Sequence, residues 1–282
     1  MSSNRPSVDP VTDRPLTALN LVDGAFSVIR YRPRTVFLGT AWILVPAVLI
    51  RLFLTRRAGT DDPFGVRTAL GLFNVGTTTD TTLIVMLDVV VAGLAGLPMA
   101  LLVTAWFHGD DPGPLELTGL ALRRVPQWVV PFVLVKLIAA LVAVVVPVMI
   151  VPLVFFSVLS PVVAVERPGP LATLRRCRDL VGGYLGQGLK VYLLTAIVST
   201  IGRLSVLAVA ALPTVLPVPL PWEDPWLITS AGNLVAFAVI TPFNAVAMAL
   251  LHLDLRFRRE GIDLTRRAAT AFSSPRPGYH HG

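Results

Sequence analysis

The run VVPFVLVKLIAALVAVVVPVMIVPLVFFSVLSPVVAV, residues 129–165, contains a single charged side chain, Lys136. As one helix it would extend about 55 Å at 1.5 Å per residue. The hydrocarbon core of a bilayer is only about 30 Å thick. The run is too long for one span and too apolar for a loop, so the sequence predicts two spans, 128–146 and 148–165. Pro147 and Pro152 flank the expected break, because an interior proline removes a backbone donor and clashes with the preceding turn.

Working outward, four more apolar blocks meet the length requirement. They are 36–54, with Arg51 close enough to one end to snorkel to the interface; 82–107, with Asp88; 189–212, with Arg203; and 226–251, with no formal charge. Composition points the same way. The 282 residues are 54% apolar and 15% charged, whereas soluble domains carry about 25% charged residues. An ordinary water-soluble enzyme is excluded, and so is a nucleic-acid-binding tail protein despite the net charge of +7, because such tails have low hydrophobicity. The expected fold is an all-α integral membrane protein of six transmembrane helices occupying residues 14–267. Segments 1–13 and 268–282 read as disordered tails. The first apolar block starts too far into the chain for a cleaved signal peptide.

Charge distribution orients these spans. With six of them, 18 Lys and Arg residues fall on the side holding both ends of the chain and four on the other. The positive-inside rule then makes both termini cytoplasmic in a plasma membrane. Lys136 and Lys190 are the only lysines; the arginine bias, with the richness in Ala, Val and Pro, reads as GC-rich bacterial coding. The lone cysteine, Cys177, rules out an internal disulfide and is read either as an inert thiol or as an acylation site near the membrane.

A repeat organises the basic side. Pro112-Gly113-Pro114-Leu115 recurs 56 positions later as Pro168-Gly169-Pro170-Leu171. Each copy opens a short arginine-bearing segment leading to an aromatic residue, Trp128 or Tyr184, and then to a span. In the second copy Leu171, Leu174, Val181 and Tyr184 share one helical face. Arg14-Pro15-Leu16 begins a looser third copy, with Leu19, Val22, Phe26 and Ile29 on one face. The sequence therefore predicts three cytoplasmic amphipathic helices, each followed by a transmembrane hairpin. Arg175, Arg176 and Arg178 supply a basic cytoplasmic face suited to anionic lipid headgroups; packing against the bundle is the competing reading.

The residues after the last span, Leu253-Asp254-Leu255-Arg256-Phe257-Arg258-Arg259-Glu260-Gly261-Ile262-Asp263-Leu264, resemble the tail motif of the glycerophosphoryl diester phosphodiesterase membrane domain family. That domain stands alone in many actinobacterial membrane proteins. Leu21-Val22-Asp23-Gly24-Ala25-Phe26 and Val165-Glu166-Arg167-Pro168-Gly169-Pro170-Leu171, followed by Leu174-Arg175-Arg176, agree with it. His252 departs from the pattern, standing where an aromatic residue is expected. The resemblance implies an accessory membrane domain without hydrolase chemistry of its own, since the family's hydrolase is a separate soluble barrel.

Asp88, Lys136 and Arg203 are charges expected within the hydrocarbon, where an ionised side chain needs a partner or a wet cavity. By depth Asp88 and Arg203 form the expected ion pair. In the tail, Arg256 with Glu260 and Arg259 with Asp263 have i, i+4 spacing, and Gly261 is expected to end the helix. A latch is also possible in geometry, in which Asp254 and Glu260 receive arginines from 175–178. Asn233 and Asn244 suit interhelical hydrogen bonds, and Gly182 and Gly186 have the spacing of a close helix contact. His108 with Asp110 and Asp111 reads as a loop rather than a metal site. No cofactor, metal or nucleic-acid partner is expected. Three function classes follow: a non-catalytic accessory or scaffold protein contacting lipids or proteins through its basic face, which is favoured; a transporter or lipid-translocating protein; and an intramembrane enzyme, for which no acid, base or nucleophile set is found.

Overall fold

The computed structural model describes residues 16–58, 79–142, 146–215 and 225–261, which are helical apart from short connections. The helices are α1 (Ala18–Tyr31), α2 (Pro33–Ala58), α3 (Thr79–His108), α4 (Pro114–Leu122), α5 (Val125–Val142), α6 (Val146–Phe155), α7 (Leu159–Glu166), α8 (Pro170–Gly182), α9 (Leu185–Val215) and α10 (Pro225–Glu260). Among the described residues four stretches are long and apolar enough to cross a membrane: Pro33–Leu54, Leu83–His108, Leu185–Val206 and Ala231–Glu260. Val125–Ala139 and Val151–Glu166 are shorter apolar helices.

The expected break at Pro147 borders residues 143–145, which lie outside the described residues, so α5 is described to Val142 and α6 from Val146. Pro152 lies inside α6 without ending it. Within the described part of the run the helix is interrupted at 156–158, between α6 and α7.

Helix α10 packs along α3 and α9, and α3 also lies against α2 and α7. The core follows these contacts: Leu97, Met99, Leu102 and Val103 of α3 are buried with Val246, Leu250 and Leu251 of α10. Between α3 and α7 the approach is set by small residues. A Cβ on Gly93 would come within 2.4 Å of the Trp128 indole, and one on Gly96 within 2.6 Å of Ser160 Cβ. The Ser160 hydroxyl donates to the Gly93 carbonyl at 2.7 Å and accepts from Trp128 Nε1 at 2.9 Å. The close contacts expected at Gly182 and Gly186 are absent: a Cβ on Gly182 would come no nearer than 3.8 Å to Phe155, and one on Gly186 would meet nothing within 4 Å. On the outside, α9 turns Leu193, Ile197, Ile201 and Leu204 away from the bundle, an apolar strip of the kind acyl chains cover.

The short helices α1, α4 and α8 each precede a pair of apolar segments. Gly113 and Gly169 cap α4 and α8 with nearly the same backbone angles, φ −70° ψ 159° and φ −63° ψ 165°, and a proline takes the first helical position of each. Each short helix joins the next through one or two residues, the last of which is hydrogen-bonded to both helices. Arg32, Arg124 and Tyr184 donate their N–H back to Val28, Ala121 and Val181, and their carbonyls accept from Val36, Trp128 and Gly188. Trp128 and Tyr184 hold the same repeat position, yet α4 stops a turn sooner than α8, so Trp128 already lies within α5.

The expected apolar faces need correcting. Leu171 is exposed, and Thr173, Cys177, Leu180 and Val181 are the buried residues of α8. The same pattern in α4 buries Leu117 and Ala121. In α1 it buries Leu21 and Ala25. The N-terminal copy is therefore in register from Leu19, not Leu16.

Candidate functional site

One end of the bundle gathers the charged motifs. The Leu16 N–H donates to Asp254 Oδ1 at 2.7 Å, so the described chain begins and ends at this end. Arg32 pairs with Asp111, bringing the start of α2 and the end of α3 to the same level. The Phe107 and Phe257 rings pack there in a tilted arrangement, with centroids 5.1 Å apart.

The last turns of α10 carry two polar stripes. His252, Arg256 and Glu260 follow i, i+4 spacing and face Glu166, the residue just beyond the apolar stretch of α7, and Arg176 of α8. Arg176 donates from Nε to Glu166 Oε2 at 2.5 Å and also pairs with Glu260. His252 Nε2 lies 3.2 Å from Glu166 Oε1 and Arg256 Nε 3.0 Å from Glu260 Oε2. Burial pushes the Glu166 carboxyl up, but the hydrogen bonds from His252 and Arg176 outweigh it and hold the group down at about 2. The Glu166 hydrogen bond correspondingly holds the Arg176 guanidinium above its ordinary value.

On the second stripe, Arg258 Nε donates to Asp254 Oδ2 at 2.8 Å, and its Nη2 donates to the Leu16 carbonyl at 2.7 Å. That carbonyl also accepts from Gln187 Nε2 at 3.0 Å. The Tyr184 hydroxyl donates to the Arg258 carbonyl at 3.1 Å, and Arg259 donates to the Asp179 carbonyl. Gly261, at φ 59°, ends α10 in the left-handed region that glycine tolerates.

The tail motif thus clamps α10 to α1, α7, α8 and α9. Of the expected latch, the arm from Glu260 to Arg176 is present. Asp254 instead serves Leu16 and Arg258, because it projects from α10 on the side of the N-terminal arm. Asp263, the expected partner of Arg259, lies outside the described residues. The three arginines of the expected basic face part company: Arg176 is consumed by the clamp, while Arg175 and Arg178 are exposed and make no hydrogen bond or ion pair among the described residues. Cys177 is fully buried, and burial raises its thiol well above the usual range, which fits the inert reading.

Toward the other end of α2, Arg51 does not snorkel. Its Nη1 bonds both oxygens of Asp88, at 2.7 and 2.9 Å, with the guanidinium over the Phe237 ring, 5.2 Å from the centroid. Arg51, not Arg203, is the hydrogen-bonded partner of Asp88. Arg203 is close enough to interact electrostatically with both. Arg51, expected at the interface, takes the position expected of Arg203 beside Asp88. Lys136 rests over the Phe132 ring, 5.3 Å from its centroid.

Asn244 Oδ1 accepts from the Ser199 hydroxyl at 2.7 Å; Asn233 Oδ1 is buried without a partner among the described residues. His108 Nδ1 lies 2.8 Å from the Thr104 carbonyl. Among the described residues no three His, Cys, Asp or Glu side chains converge.

The hub that residue reading missed is Glu166. It is the only carboxylate between Glu116 and Asp179, and a lone acid closing a long apolar run ahead of an arginine cluster was the available signal. His252, singled out only as a departure from an aromatic, is the buried side chain that bonds it.

No family model matches the chain, and none of the curated proteins or solved structures compared with it does.

Proposed function

We propose that this is a non-catalytic polytopic protein of the bacterial plasma membrane, an accessory or scaffold protein that engages anionic lipids or a partner protein through its basic end. In this reading the four long helices and the two shorter apolar units, α5 and α6–α7, make six crossings. Both termini are cytoplasmic, as the excess of arginine at that end requires. The likeness of residues 253–264 to the glycerophosphoryl diester phosphodiesterase membrane domain belongs to the same proposal.

The observation that carries it is the division of labour on α8. The clamp neutralises Arg176 and fixes the helix, leaving Arg175 and Arg178 exposed and without an ion pair among the described residues. Exposed guanidiniums held on a rigid helix next to hydrocarbon attract anionic headgroups, by about 1 kcal/mol per basic residue.

The test is affinity purification of the full chain in mild detergent, with bound lipids and proteins identified. The wild type is expected to retain anionic lipid, or a specific protein, several-fold above its share of the membrane, and the double variant R175Q/R178Q to lose it. Identical lipid and protein complements in both would overturn the reading. Reporter fusions at the two ends test the crossings: opposite sides would exclude six.

A further inference from the structure

The first turns of α1, α4 and α8 each point one leucine away from the bundle: Leu19 is 69% exposed, Leu115 86% and Leu171 66%. A single exposed leucine is ordinary. These three are equivalent. Two positions on from each lies a fully buried residue (Leu21, Leu117, Thr173), and six positions on another (Ala25, Ala121, Cys177). The residues four and seven positions on share the outward face: Asp23 and Phe26, Gly119 and Leu122, Arg175 and Arg178, all exposed. The pattern holds although the helices differ in length and sequence, so it is not a by-product of one packing solution.

We propose that Leu19, Leu115 and Leu171 are membrane anchors, inserted into the acyl region of an anionic lipid surface while Arg175 and Arg178 meet headgroup phosphates. The proposal rests on the reading that this end faces an anionic leaflet, and it adds which side chains enter the bilayer. Three observations favour lipid over a protein partner. Each short helix joins a membrane-directed helix through only one or two residues, with Arg32, Arg124 or Tyr184 bonded to both, which keeps its outward face beside the hydrocarbon. The helices rest on different sets of neighbours, α1 on α9 and α10, α4 on α2 and α3, α8 on α5 and α7 as well as on the clamped end of α10; a planar lipid surface can meet all three at once. The α8 face pairs its leucine with two exposed arginines that have no ion pair among the described residues, complementary to anionic headgroups.

The test uses the full-length protein with single cysteines introduced by Leu19→Cys, Leu115→Cys or Leu171→Cys. The buried Cys177 stays in place, and each new thiol carries a nitroxide. In vesicles of phosphatidylcholine and phosphatidylglycerol, all three labels are expected to collide with oxygen in preference to a water-soluble nickel chelate, with the reverse at Asp110→Cys and Asp179→Cys. In phosphatidylcholine alone the Leu171 label should lie shallower. Three labels as open to the chelate as Asp110→Cys, or shielded from both reagents as by a second copy or another protein, would overturn the anchors. Water-exposed labels alongside retained arginine-dependent lipid enrichment would defeat the anchors and leave the scaffold reading standing; loss of that enrichment would defeat the scaffold reading as well.

Discussion

Leu16 and Asp254, 238 positions apart, are joined by a hydrogen bond from the Leu16 N–H to a carboxylate oxygen at 2.7 Å. Asp254 is 1% exposed, and its other oxygen takes Arg258. Truncation by Asp254→Ala leaves the Leu16 N–H without its acceptor and takes the carboxylate from Arg258, which keeps its bond to the Leu16 carbonyl. Hydrogen bonds to charged groups contribute about 1.5–3 kcal/mol, so the variant should lose roughly 2–4 kcal/mol, read as a lower midpoint of thermal unfolding in detergent. Asp254→Asn keeps an acceptor for Leu16 and should recover part of the loss. Equal losses in the two variants would mean that the N-terminal arm does not contribute through this bond.

Glu166 gives the clamp a pH dependence of known sign. Its carboxyl falls from an ordinary 4.5 to about 2 in the folded protein. A depressed folded value means that the unfolded state takes up the proton first, so the stabilisation is complete above about pH 5 and is lost as pH falls through 4.5 toward 2. Unfolding midpoints measured across that window should fall more steeply for the wild type than for Glu166→Gln, with the difference between them shrinking toward pH 2. Parallel curves would show that the carboxylate is not held by His252 and Arg176.

The Arg51 and Asp88 pair predicts an asymmetry. Removing Asp88 leaves Arg51 and Arg203 as neighbouring cations, whereas removing Arg51 leaves Arg203 to face the carboxylate. Breaking a buried pair from one side costs about 3–5 kcal/mol, and Asp88→Asn should approach that figure while Arg51→Gln costs less. Exchanging the pair, Arg51→Asp with Asp88→Arg, should restore protein level in the membrane beyond either single reversal. Exchange of Asp88 with Arg203 should not. The opposite ranking would return Arg203 to the principal role.

How much of this was legible depends on the range over which each feature acts. The apolar blocks, the three short helices and the end of α10 at Gly261 are local, set by hydropathy over about 20 residues, by proline at a first turn and by glycine at a helix end. The clamp is not local. Glu166 meets His252 across 86 positions and Glu260 meets Arg176 across 84, and no spacing rule reaches that far. Depth arithmetic put Asp88 and Arg203 at one level but could not show that Arg51, one turn from the end of its apolar stretch, points inward. Periodicity found amphipathic segments, yet of the residues it grouped on one face Leu19, Phe26 and Leu171 are exposed while Val22 and Val181 are buried, because it marks apolar residues and not which of them the bundle covers.

Gly93 marks where the packing has no slack. A Cβ there would stand 2.4 Å from Trp128 Cζ2 and 3.1 Å from Phe132, and the indole cannot retreat freely because its Nε1 is tied to Ser160 and its ring stacks on Phe132 at 4.1 Å. Overpacking of this kind costs about 1–3 kcal/mol, so Gly93→Ala should lower the unfolding midpoint measurably. Trp128→Phe alone gives up the bond to Ser160 and some buried area, but it removes the atom that the new methyl would strike. The double variant should therefore lose less than the two single losses combined, a coupling of about 1 kcal/mol that neighbouring residues commonly show. Strict additivity in that cycle would mean that α3 and α5 do not meet at this glycine.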